Sequence, residues 1–143
     1  MNFKRLFSLV SKSFPNIGFE VKRMEKDVLE ITASIYASDY FDDHMYCQII
    51  VYNSGSMHFI LTFDKLDPTL ENYELINQFN DNLSWFKAYI SEKDSGNRFF
   101  ELHYAAIGEA YEKAIADAIS FLLEELLDDN TMKYLKPIVD KTY

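Results

Sequence analysis

Three successive runs, VLEITASIY at 28–36, MYCQIIVY at 45–52 and MHFILTF at 57–63, alternate between two sets of side chains at a period of two. Such alternation gives strands with one face buried and the other open. Asn53-Ser54-Gly55-Ser56 lies between the last two runs and closes them into a hairpin, with Gly55 free to take the positive φ of a tight turn. FEVKRM at 19–24 alternates as well and is joined to the first run by the polar turn Glu25-Lys26-Asp27. The expected topology is a meander of four antiparallel strands.

The remaining segments supply helices and a second hairpin. Phe3, Leu6, Phe7, Val10 and Phe14 form the stripe of an amphipathic helix that Pro15 ends. Its cationic side is modest and the stripe short, so packing on the sheet is expected rather than a membrane surface. A second helix follows the third run, capped by Asp67 or Thr69, with Pro68 in its first turn and Leu70, Tyr73, Ile76 and Phe79 as its apolar face. Asn80-Asp81-Asn82 breaks its period. LSWFKAYISE and RFFELHYA, separated by Lys93-Asp94-Ser95-Gly96-Asn97, read as a hairpin.

From Gly108 onward, Tyr111, Ala114, Ile115, Ala118, Ile119, Leu122 and Leu126 mark a long helix. Asn130-Thr131 offers a restart for a short one limited by Pro137. The expectation is a single α+β domain over 1–143, with an antiparallel sheet of about six strands in the order α-β-β-β-β-α-β-β-α and helices on one face.

Composition narrows the function classes. The chain is 48% hydrophobic and 16% aromatic, with four glycines and three prolines, which suits a packed core with few flexible linkers. Its net charge of −9 is uneven: residues 1–26 hold six basic side chains against Glu20 and Glu25, a local +4, which leaves −13 for the rest. That balance opposes direct nucleic-acid binding, which needs a basic footprint. The opening MNFKRLFSLVSKSF is interrupted by Lys12 and followed by no small-residue cleavage site, so it reads as part of the fold and the expected location is cytoplasmic.

Catalytic and metal chemistry find little support. No phosphate loop, His-Glu-x-x-His or Gly-x-Ser-x-Gly pattern is present. His58 and His103 fall inside strands, and the single cysteine, Cys47, sits among apolar neighbours. Asp39, Asp42, Asp43 and His44 make the strongest metal candidate, yet they lack the spacing and glycine of a calcium loop and read as a solvated acidic loop. No enzyme activity, metal or cofactor is expected. Along the last helix Glu109, Glu112, Asp117, Glu124, Glu125, Asp128 and Asp129 face Lys113 alone, and the last two acids would oppose the dipole of a continuous helix.

The strand faces carry more information. If Met45, Cys47, Ile49 and Val51 point inward, Tyr46, Gln48, Ile50 and Tyr52 point out, and Ile60 joins them. If Phe86, Ala88 and Ile90 point inward, Trp85, Lys87 and Tyr89 point out. The outer face then gathers Tyr46, Ile50, Tyr52, Ile60, Trp85 and Tyr89, an aromatic cluster that serves as an interface or is covered by the chain's own loops and final segment.

With ELINQFNDNLSWFKAYI between a meander and a hairpin, the chain resembles the YbjN family, whose fold is similar to type III secretion chaperones. Asn77, Phe79, Asn80, Phe86, Lys87 and Ala88 carry the likeness, together with the following turn, strand and long helix. The resemblance implies a non-catalytic, chaperone-like or regulatory module that binds a protein partner and pairs with a second copy as chaperones of this shape do, with no catalytic or cofactor residue to carry over. The binding residues expected from the strand faces are Tyr46, Tyr52, Trp85 and Tyr89, with a homodimer as one form of partner. The alternative expectation is a small acidic inhibitor from a mobile element that imitates nucleic acid toward a basic enzyme.

Overall fold

The computed structural model describes residues 1–37, 39–40 and 44–143. Its elements run α1 (Phe3–Ser13), β1 (Glu20–Met24), β2 (Val28–Tyr36), β3 (His44–Tyr52), β4 (Met57–Lys65), α2 (Leu70–Asn82), β5 (Lys87–Glu92), β6 (Arg98–Ala106), α3 (Glu112–Leu126) and α4 (Asp129–Val139). The strands form one antiparallel sheet in the order β1-β2-β3-β4-β6-β5. The α+β architecture and the packing of the helices on one face agree with the expectation from the sequence.

The period-two pattern explains the sheet directly. Leu29, Ile31, Ala33 and Ile35 of β2, Met45, Cys47, Ile49 and Val51 of β3, and Met57, Phe59, Leu61 and Phe63 of β4 are all buried in one core with Phe100 and Leu102 of β6. Phe3, Leu6 and Val10 of α1 and Ile115, Ile119, Leu122 and Leu126 of α3 close that core from the helix side. Gly55 makes the β3–β4 turn at φ 98°, and a Cβ there would collide with the Ala110 backbone. Ala110 N–H donates to Ser54 O at 3.2 Å, so the hairpin tip is tied to the approach of α3.

Several helix details differ from the sequence reading. Thr69 is the N-cap of α2, accepting from Asn72 N–H at 3.2 Å, so Pro68 precedes the cap instead of opening the first turn. The buried side of α2 is Asn72, Ile76 and Phe79, while Leu70 and Tyr73 are exposed. Asn72 is accommodated because its Nδ2 donates to Asp67 O at 2.9 Å. The helix continues through Asn82 because Asn80 and Asn82 spend their side chains on Ala88 and on Gln78 O without interrupting the backbone ladder.

The acidic end of the last helix is corrected too. The chain breaks after Leu126, and Asp128 caps a new helix by accepting from Asn130 N–H at 3.0 Å, with Asp129 in its first turn. There the two acids complement the dipole. α4 runs past Pro137 to Val139 and buries Met132, Leu135 and Ile138. Among the described residues, no helix is long and apolar enough to cross a membrane.

Candidate functional site

Among the described residues no helix covers the second face of the sheet, and the strand registers place its side chains in rows. Ser34, Tyr46, Thr62, Glu101 and Tyr89 form one row across five strands. Thr32, Gln48, Ile60, His103 and Lys87 form the next, and Glu30, Ile50, His58 and Ala105 a third. Tyr52 flanks the third row, opposite Val28. Tyr36 and His44 close the other end, with rings 5.0 Å apart.

Tyr46 and Tyr52 are 44% and 41% exposed, and Ile50 and Ile60 are half-buried beside them. The final segment does not cover these residues, because it folds as α4 against α2 in the helix layer. The face is therefore an open surface with aromatic side chains, separated by polar groups that pair with one another.

Two carboxylates lie on this face with little exposure, and both are partnered. Glu101, 4% exposed, accepts from Thr62 Oγ1 at 2.8 Å, Lys93 Nζ at 3.0 Å and Tyr89 OH at 3.2 Å. Burial pushes its carboxyl up, but the hydrogen bonds from Thr62 and Lys93 and the lysine charge outweigh that and hold it below its ordinary value. Tyr89 is pushed up to about 12 by burial and by the adjacent Glu101. Glu30 accepts from Gln48 Nε2 at 3.1 Å and has Lys22 Nζ at 3.7 Å.

Between these carboxylates, His58 Nδ1 and His103 Nε2 are 2.9 Å apart. The rings are nearly parallel, with centroids 5.1 Å apart, and Tyr52 and Tyr89 stand edge-on to His58 and His103. One nitrogen donates and the other accepts, so the bond requires at least one neutral ring. Burial, then the neighbouring His58, lowers the His103 pKa, and Glu101 opposes them.

The candidate residues named from sequence divide between two places. Tyr46 and Tyr52 are on the open face, as is Tyr89, which the Glu101 hydrogen bond fixes. Trp85 is not with them. Regular strand begins only at Lys87, and the Asn80 side chain clamps Ala88 at both backbone groups, accepting from its N–H at 2.8 Å and donating to its carbonyl at 3.0 Å. The bend before this clamp ends the alternation. Phe86 then turns inward to Phe59, with ring centroids 5.5 Å apart, and Trp85 meets Phe121 of α3 edge-on at 4.8 Å.

The other sequence candidates are the cysteine and the acidic loop. Cys47 is buried on the covered face, where desolvation pushes its thiol up to about 12, far from a nucleophile's range. Of the acidic-loop candidates, Asp42 and Asp43 lie outside the described residues, Asp39 and His44 are exposed, and His44 packs on Tyr36. Among the described residues, no group of three or more His, Cys, Asp or Glu side chains has metal-binding geometry.

The sequence reading missed the Glu101 network and the histidine pair. Both depend on β6 lying beside β4, a long-range neighbour relation. The available signal was the alternation Glu101, His103, Ala105, which puts those residues on the open face once β6 is assigned. No protein-family model matches the chain, and no curated protein matches it. The resemblance to the YbjN family therefore rests on the quoted residues alone, and of these Phe79, Asn80, Phe86 and Ala88 serve the clamp and the core.

Proposed function

We propose that the protein is a non-enzymatic polypeptide-binding module acting in the cytoplasm, as a chaperone-like or regulatory adaptor of the kind the YbjN resemblance implies. The observation that carries this reading is the open sheet face, on which Tyr46 and Tyr52 stay exposed while the polar groups between them are hydrogen-bonded internally. A partner that dries such a face gains from aromatic burial and strands few polar groups. Trp85 belongs to a separate patch with Phe121 and is not assigned to this face.

A photo-crosslinking residue placed at position 46 or 52, compared with one at position 121, tests the assignment. Polypeptide adducts from positions 46 and 52 that disappear in competition with unlabelled protein are expected. Adducts confined to position 121, or none, would move the site or reject it. The acidic-inhibitor alternative has exposed Glu109, Asp117 and Glu124 in its favour, but Lys113 engages Asp117 at 3.1 Å and Asp128 is spent on capping. It predicts capture of a basic enzyme that weakens steeply with salt and competes with DNA or RNA, whereas binding through the tyrosines predicts no competition with nucleic acid.

A further inference from the structure

At the outer edge of β2 the sheet is incomplete. β1 pairs with β2 only as far as Glu20 opposite Thr32, whereas β2 continues to Tyr36. The direction of the free backbone groups follows from two neighbouring hydrogen bonds. Val28 O accepts from Glu25 N–H on the β1 side, and Asp27 O accepts from Asn53 N–H on the β3 side. Backbone groups alternate sides along a strand, so Ser34 and Tyr36 point theirs outward, in line with Val28. No described residue pairs with them there.

The gap has volume as well as hydrogen-bonding groups. A hollow of about 300 Å³, lined by Gly18, Glu20, Thr32, Ala33, Ser34 and Tyr46, lies where β1 would have continued. Gly18 borders it, and even a Cβ at that position would meet nothing within 4 Å. A smaller hollow of about 170 Å³, lined by Tyr36, Ala37, Asp39, Tyr40 and Leu127, lies at the end of the same strand, where the edge meets the segment after α3. The notch thus joins an unpaired backbone edge to the aromatic face at Tyr46.

We propose that an extended polypeptide segment with basic flanks enters this notch as an added strand, hydrogen-bonded to the backbone of Ser34 and Tyr36. This rests on the polypeptide-binding function proposed above and gives it a mode, β-strand addition. Extended backbone is the ligand chemistry that matches alternating N–H and C=O groups along an edge. The charge follows from the ends of the notch, where Glu20 and Asp39 are both exposed. A second copy is a poor occupant, since pairing this edge with itself about Ile35 brings Glu20 of one copy toward Asp39 of the other.

Amide hydrogen exchange by NMR tests the notch before any ligand is added. In the free protein, Ser34 and Tyr36 amides should exchange about 100-fold faster than those of Ile31 and Thr32. Equal protection would mean that the edge is already filled and would overturn the proposal. A synthetic peptide of alternating valine and lysine is the probe, with alternating valine and glutamate as control. The lysine peptide should slow exchange at Ser34 and Tyr36 by about tenfold or more, the glutamate peptide much less. No slowing at about 1 mM lysine peptide would overturn strand addition.

Ser34→Pro removes an outward donor without removing a bond inside the sheet, so it should keep the fold and weaken the peptide by about tenfold. A second variant, Glu20→Lys with Asp39→Lys, leaves the backbone untouched and should reverse the preference between the peptides. Unchanged affinity in the proline variant and unchanged preference in the lysine variant would reject the notch. If crosslinks from positions 46 and 52 persist in variants that have lost the peptide, the face remains the binding surface and strand addition alone fails, whereas crosslinks lost together with the peptide support one site, since Tyr46 lines the notch. A wild-type protein that gives neither crosslinks at 46 and 52 nor slowed exchange at Ser34 and Tyr36 rejects both readings.

Discussion

On the covered face of the sheet, Ile31, Ile49, Phe59 and Leu61 are fully buried and held by packing against helices. On the other face of the same strands, Thr62, His58, Gln48 and Glu30 are held by hydrogen bonds to one another or to β6. The first face derives its order from excluding water and the second from satisfying polar groups beside water. The difference teaches that the open face is organised without a covering layer. Its exposed tyrosines stand on a braced platform rather than on a loose remnant of a core.

The largest effects should fall on the covered side. Phe59→Ala removes a ring that also meets Phe86, and should cost about 3–5 kcal/mol in denaturant unfolding. A loss below about 1 kcal/mol would mean that the helix layer is not packed as described. Glu101→Ala should cost less, about 1–3 kcal/mol, by stranding Thr62 and Tyr89 on the open face. If the two variants were equally damaging, the contrast between packing and hydrogen bonding would fail.

Acid should separate the faces further. A histidine held below its ordinary value of 6.5 favours the folded state while neutral, so the His103 contribution is complete above 6.5 and is lost as pH falls below it. Glu101, held below 4.5, adds stability above that value and loses it in stronger acid. Alkali does not separate them: Cys47 on the covered face, raised from 9.0 to about 12, and Tyr89 on the open face, raised from 10.0 to about 12, both favour the fold while protonated, and those contributions fade as pH rises past 9.0 and 10.0. Unfolding midpoints across pH should therefore drop in two acid steps. His58→Gln with His103→Gln should remove the step near neutrality and leave the lower one.

The covered face was legible in the sequence because burial repeats at short range. Leu29, Ile31, Ala33 and Ile35 announce both a strand and its inner side, and Asn53-Ser54-Gly55-Ser56 announces the hairpin. The open face was half legible: Tyr46 and Tyr52 followed from the same alternation, but the partners of Glu101 and His103 did not, since nothing local says that β6 joins β4. Trp85 was misplaced because alternation was carried two residues past the point where the Asn80 clamp lets regular strand begin. Asp128 and Asp129 were misassigned because a helix break after Leu126 leaves no glycine or proline signal at that point.

The smallest stability effect is also the sharpest test of what the open face is for. Tyr46 stands in a row with Ser34 and Thr62, and its ring is not needed to keep water from the core. Tyr46→Ser should therefore change unfolding free energy by no more than about 0.5 kcal/mol, as expected for a surface position away from a structural network. The same substitution should weaken partner capture by about tenfold or more if that ring is an anchor in the bound state. A variant that binds normally would show the tyrosine to be incidental. One that loses both binding and stability would place the ring in the structural platform, and the division between bracing polar groups and presenting aromatic ones would have to be redrawn.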